Sequence, residues 1–187
     1  HPSGSYLLVV DQRAHAIRRL DLATLAVATV AGQAGAAGAD DGSGLAAKFR
    51  LPGGIAIPLQ VAGFALVADT GNGVVRRLQL GDDAKVVDGA LVSWRVTTVA
   101  GTAGSAAGAA EADGVGAAAA FREPRGITVA DGGAVAFVTG GGTNFAGGGG
   151  GAAAATSNRV RHLNMKTGAV TTVAGPPAGP REDGSGG

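Results

Sequence analysis

A six-residue string occurs three times in this chain, and its recurrence governs what the chain can fold into. Val27-Ala28-Thr29-Val30-Ala31-Gly32 returns as Val96-Thr97-Thr98-Val99-Ala100-Gly101 and as Val170-Thr171-Thr172-Val173-Ala174-Gly175. Such self-similarity marks a repeat architecture, in which a unit cannot bury its apolar face alone and buries it against its neighbours. Other strings keep step with it. Ile17-Arg18-Arg19-Leu20-Asp21-Leu22 is echoed by Val75-Arg76-Arg77-Leu78-Gln79-Leu80 and by Val160-Arg161-His162-Leu163-Asn164-Met165. Leu8-Val9-Val10-Asp11 is echoed by Leu66-Val67-Ala68-Asp69 and Ala136-Phe137-Val138-Thr139, and Pro52-Gly53-Gly54-Ile55-Ala56-Ile57 by Pro124-Arg125-Gly126-Ile127-Thr128-Val129. The intervals of 69 and 74 residues become nearly equal once about 11 residues in 81–93 and about 15 in 140–155 are read as insertions. The second insertion is of low complexity, Gly- and Ala-rich, and is expected to form a flexible surface loop.

Each unit contains four short segments rich in Val, Ile and Leu, bounded by Gly, Asp and Asn, which is the pattern of strands. In the middle unit they are Gly54–Ile57, Gly63–Ala68, Val74–Leu80 and Trp94–Ala100. Asp69-Thr70-Gly71-Asn72-Gly73 joins the second to the third, a hairpin signal with Gly and Asn available for positive φ. Alternation along Val74–Leu80 puts Leu78 and Leu80 on one face with Arg76, and Val75, Arg77 and Gln79 on the other. Four-stranded units in series predict an all-β fold, a β-propeller fragment of four-stranded antiparallel blades with about eleven strands. Blade one spans residues 1–32 and lacks its first strand. A connector and blade two span 33–101, a connector and blade three span 102–175, and 176–187 is a truncated connector to a fourth blade.

Composition decides which residues must carry the packing and which chemistries are absent. With 40 Ala and 35 Gly, only 42 of the 187 residues are Leu, Ile, Val or Phe, so each large apolar side chain matters. Phe49 and Phe121 each precede a blade's first strand at the same repeat position. Both are expected to be buried between neighbouring blades. Fifteen basic residues against 14 acidic argue against a dedicated nucleic-acid or membrane surface. No apolar run is long enough to insert into a membrane. The lack of Cys excludes a disulfide scaffold and a thiolate metal site in this stretch. His1, His15 and His162 share no short ligand spacing. No metal, cofactor or catalytic residue is expected here. His15 reads as a hairpin residue and His162 as a solvated face residue. Asp40-Asp41 and Asp82-Asp83 lack the ligand order of an EF-hand loop. Asp41, Asp113 and Asp183 occupy equivalent positions and read as turn formers that bond nearby backbone N–H groups. No Gly-rich segment fits a P-loop, a dinucleotide fingerprint or a nucleophile elbow.

Taken in order, these strings resemble the NHL-repeat family. The resemblance lies in Val96–Gly101, then Ala112-Asp113-Gly114-Val115-Gly116, Ala119-Ala120-Phe121 and Pro124–Val129. Asp41–Phe49 before Pro52 follows the same pattern, and Ala68–Leu78 matches the family's hairpin, with Gly73 where a second Asn is usual. Departures are the two insertions, Gln12-Arg13-Ala14-His15, and Thr139, which reads as the replacement for the hairpin Asp. The resemblance implies a ring of about six blades, of which this is roughly half. It implies a non-catalytic protein–protein interaction or structural scaffold module within a larger protein or assembly. The partners would be other proteins or the remaining blades of the same polypeptide. Two further roles occur in such propellers: a lyase- or hydrolase-type enzyme with metal ligands in absent blades, and RNA binding. The repeated Arg18-Arg19, Arg76-Arg77 and Arg161-His162 bear on the last. But aromatic residues are only 4% of the chain, too few to give stacking platforms, and the strand concerned is placed toward the outside of its blade. Nucleic acid is therefore not the expected partner.

Asp11 and Arg18 stand seven residues apart, as do Asp69 and Arg76. Across a hairpin each pair is predicted to form a charge-assisted contact, contributing about 0–1 kcal/mol at a partly exposed site. Arg161, with Thr139 taken as its counterpart, is expected to lack that partner.

Overall fold

The computed structural model describes residues 1–59, 63–80, 86–87, 90–91, 94–104, 110–140 and 159–175. Sheet one is β1 (Tyr6–Asp11), β2 (Ala16–Asp21) and β3 (Val27–Ala31), in the order β1-β2-β3. Next along the chain come β4 (Gly42–Ser43), β5 (Gly54–Ala56), β6 (Phe64–Asp69), β7 (Val74–Leu80), β8 (Val86–Val87), β9 (Ala90–Leu91) and β10 (Trp94–Ala100). Sheet two takes the order β4-β10-β7-β6-β5, while among the described residues β8 and β9 form a pair of their own inside the first insertion. The last five strands are β11 (Gly114–Val115), β12 (Pro124–Ala130), β13 (Val135–Gly140), β14 (Val160–Asn164) and β15 (Ala169–Ala174). They form sheet three in the order β11-β15-β14-β13-β12, and pairing is antiparallel throughout. Three antiparallel sheets stacked in sequence order are consecutive blades of a propeller. Gly-rich residues 141–158 and the stretch 176–187 lie outside the described residues.

Sheets two and three each have a fifth strand. It comes from the connector that precedes the blade: Ser43 pairs with Arg95 and Gly42 with Val96, and Val115 and Gly114 pair with Ala169 and Val170. An outer strand left alone would expose a row of backbone N–H and C=O groups, and the passing connector covers part of that row. As a result β7 lies in the middle of its sheet, not toward the outside as the repeat pattern implied.

Strand pairing also corrects the repeat register in sheet three. Val67 stands opposite Arg76, and Val138 stands opposite Arg161. Gly54 pairs with Ala68, and Gly126 with Thr139. Thr139 is therefore the counterpart of Ala68, and the place of Asp69 is taken by Gly140, one residue later than the sequence echo indicated.

Two apolar layers hold the stack together. The first joins Tyr6, Ile17 and Val30 of sheet one to Val67, Leu78 and Trp94 of sheet two. The second joins Leu66 and Val75 of sheet two to Ala136, Val138 and Leu163 of sheet three. All six residues of β6 are buried, because this strand is covered on both faces. Phe49 lies in the first layer and Phe121 in the second, 0% and 2% exposed. Burial of each contributes about 1.5–3 kcal/mol relative to exposure.

The glycine that ends each repeated string has a steric reason. Gly32, Gly101 and Gly175 have φ of 88°, 97° and 110°, a region that disfavours any side chain. A Cβ at Gly101 would also stand 2.6 Å from the Gly73 carbonyl oxygen.

Candidate functional site

The repeat's polar residues converge on one device, built twice. In sheet two β7 turns Arg76 toward sheet one, where its side chain is fully buried. One guanidinium nitrogen donates to the Lys48 carbonyl at 3.1 Å and to Asp69 Oδ2 at 3.0 Å. The other donates to the Asp40 carbonyl at 2.9 Å and to Asp41 Oδ1 at 2.7 Å. Arg76 thus pins both ends of the connector loop, and the Phe49 ring lies 5.3 Å from its guanidinium. Asp41 completes the clamp on β10, accepting from the Thr98 N–H at 3.0 Å and the Thr98 hydroxyl at 3.1 Å.

Sheet three repeats the contacts to the connector. Arg161 donates to the carbonyls of Ala120 and Ala112 at 3.0 and 2.6 Å and to Asp113 Oδ1 at 2.7 Å. Asp113 accepts from the Thr172 N–H at 3.0 Å and the Thr172 hydroxyl at 2.9 Å, and Phe121 lies 5.3 Å from the Arg161 guanidinium. Arg161 has Gly140 where Arg76 has Asp69. Its second acid is instead Glu111, at 3.9 Å, which also pairs with Arg159 at 3.4 Å.

Asp41 and Asp113 are therefore not turn formers acting on nearby backbone. Their N–H partners lie 57 and 59 residues away. Burial pushes the Asp113 carboxyl up, but the Thr172 N–H, its hydroxyl and Arg161 together bring it below the usual carboxylate value. Asp69, with no exposure, goes the other way: burial raises it against the pull of the Arg50 N–H, Asn72 and Arg76. Besides Arg76 it accepts from the Arg50 N–H at 2.8 Å and from Asn72 at 2.8 Å.

Sheet one carries the same positions, with no connector strand on its outer edge among the described residues. The Asp11–Arg18 pair is made at 3.1 Å, but the two side chains are 39% and 28% exposed, whereas Asp69 and Arg76 are sealed. Thr29, the counterpart of Thr98 and Thr172, accepts a hydrogen bond from Arg18 through its hydroxyl. The neighbouring apolar face is open as well. Val9 is 44% and Val27 65% exposed, whereas their counterparts Val67 and Val96 are fully buried. Val9, Leu20, Val27, Asp11 and Arg18 line a cleft of about 490 Å³ on this face.

The second arginine of each pair works on the opposite face. Arg19 sits 4.6 Å over the Tyr6 ring and Arg77 4.4 Å over Phe64, at equivalent repeat positions. His162, expected on a solvated face, is half-buried and meets Phe137 edge-on at 5.7 Å. His15, in the β1–β2 hairpin, accepts the Leu51 N–H at 3.0 Å. Among the described residues no group of three or more His, Cys, Asp or Glu converges on one point, and no helix is long and apolar enough to cross a membrane.

Solved structures similar to this chain share this architecture. An auxiliary nutrient binding protein from Bacteroides thetaiotaomicron superposes with a TM-score of 0.57 and 25% identity, over 74% of this chain and 33% of its own. An auxiliary nutrient binding protein from Bacteroides ovatus gives 0.55 and 24%, again over 74% and 33%. Hydrazine synthase from Kuenenia stuttgartiensis gives 0.55 at 15% identity, over 96% of this chain and 35% of its own, a likeness of fold alone. The chain thus spans about a third of the length of each. No protein-family profile matches it, and no curated protein does.

Proposed function

We propose that this chain is a stretch of an NHL-type propeller that serves as a rigid, non-catalytic binding or scaffold module within a larger protein or assembly. One observation carries the reading. The apolar face that sheets two and three bury against a neighbour is exposed on sheet one, through Val9, Val27 and Leu7. A contiguous apolar face of this kind marks an interface, here with a further blade or a protein partner. The charged repeat residues support the same reading. Arg76 and Arg161 are buried and paired with acids, so they hold the scaffold together and are not presented to a phosphate backbone. The binding-protein descriptions of the two Bacteroides structures fit a module of this kind.

Residues 1–187 alone are expected to associate through the open face. Sedimentation across a range of concentrations should show the mass rising with concentration, and Val27→Asp should shift the species toward monomer. A monomer at every concentration that unfolds in one cooperative step would overturn the reading.

A further inference from the structure

We propose that His15 is a proton-operated latch at the seam between sheets one and two. With Nδ1 unprotonated it holds the Leu51 amide. With Nδ1 protonated it releases the corner Arg50-Leu51-Pro52 that leads into β5. The latch stands on this contact and does not depend on the scaffold role proposed above.

His15 occupies a position that the next hairpin gives to glycine. It directly precedes β2 as Gly73 directly precedes β7, and Asp11 pairs with Ala16 as Asp69 pairs with Val74. Both residues are left-handed, with φ of 57° at His15 and 68° at Gly73. Glycine takes that conformation freely, whereas a side chain strains it. Strain kept at such a position points to a use for the side chain. Here the imidazole reaches across the seam, and Nδ1 accepts the Leu51 N–H at 3.0 Å from 36 residues along the chain. Leu51 is itself left-handed, with φ of 47°, and is 42% exposed.

The next seam shows what the fold does without an imidazole. Glu123 stands before Pro124 as Leu51 stands before Pro52, and it turns the same corner with φ of 44°. Gly73 has no side chain to reach it. That seam is tied by the Thr70 hydroxyl, which donates to the Pro124 carbonyl. Sheet one has Gln12 in the place of Thr70. A hydroxyl donor is indifferent to pH near neutrality, but an imidazole acceptor is not.

Accepting an N–H requires the neutral ring with its proton on Nε2. Protonation puts a second N–H on Nδ1, donor against donor, and the bond is lost. The charged groups of the surrounding elements are engaged elsewhere. On the same hairpin Asp11 is taken by Arg18 and the Ala14 N–H, and Arg13 is an exposed cation. On the connector Asp40 is taken by Lys48, Asp41 by Arg76 and Thr98, and Arg50 is a second exposed cation. Asp69 is buried against Arg76, and Glu123 pairs with Arg125. The imidazolium thus gains no ion pair in exchange for the bond it loses. The latch governs the corner that displays Arg50 and Leu51, both exposed, so acid alters the surface presented there.

The test is an NMR titration of the whole chain between about pH 8 and about pH 5, with amide exchange corrected for its intrinsic pH dependence. The Leu51 amide resonance should shift with the same midpoint as the His15 ring. Its protection should fall about threefold or more, while the Val67 and Val75 amides keep theirs. His15→Gly, suited to the φ that Gly73 adopts, should leave Leu51 at the low level throughout. Any of three results would overturn the latch. The first is a Leu51 amide that does not change, and the second a change that survives in His15→Gly. The third is a loss shared by Val67 and Val75, which would be unfolding of the stack and not a local release.

Discussion

Arg76 and Arg18 carry the same repeat role in opposite surroundings. Arg76 has no exposure and faces Asp69, which has none. Removing the arginine leaves a carboxylate buried without its counter-charge, which costs about 3–5 kcal/mol. Arg18 and Asp11 are partly solvated, and exposed pairs contribute about 0–1 kcal/mol. Chemical denaturation should therefore show a large loss of stability for Arg76→Ala and a small one for Arg18→Ala. Equal losses would contradict the burial of the second pair. Both pairs were legible in the sequence, because a seven-residue spacing across a short hairpin brings the ends together. Their unequal burial was not, since it depends on whether a connector lies over the arginine. The register of the third hairpin was misread for a related reason. Thr139 and Gly140 are adjacent, and only strand pairing with Gly126 and Arg161 separates them.

At the scale of elements, the long strands follow from runs of Val, Ile and Leu between turn residues. Predicted boundaries such as Val74–Leu80 and Trp94–Ala100 coincide with β7 and β10. The two-residue strands β4 and β11 leave no such trace, because alternation needs more than two positions to register. The repeated Asp was the visible signal of these strands. Its partner was misjudged because carboxylates near glycines usually bond locally, whereas here a connector crosses the sheet edge before the Asp bonds. Phe49 and Phe121 were more readable, being large apolar residues at one repeat position in a chain poor in them. Each fills the space under a clamped guanidinium, and neighbouring Ala side chains cannot expand into the void. Phe49→Ala and Phe121→Ala should each cost about 3–5 kcal/mol, read as a lowered denaturation midpoint. A loss below about 1 kcal/mol would mean that the connector loop is not anchored by its ring.

Across the whole molecule, the connector preceding a blade does three things at once. It extends the outer edge, neutralises the buried arginine and places a Phe between two sheets. Among the described residues, sheets two and three have that element and sheet one shows none. This difference is the central claim, and amide hydrogen exchange tests it at three equivalent positions. The Thr98 and Thr172 amides donate to connector carboxylates, each at 3.0 Å. Thr29 has the same register on β3, whose outer side has no partner strand among the described residues. In dilute samples of residues 1–187, Thr98 and Thr172 should exchange far more slowly than Thr29. Protection of Thr29 equal to that of the other two would contradict the account.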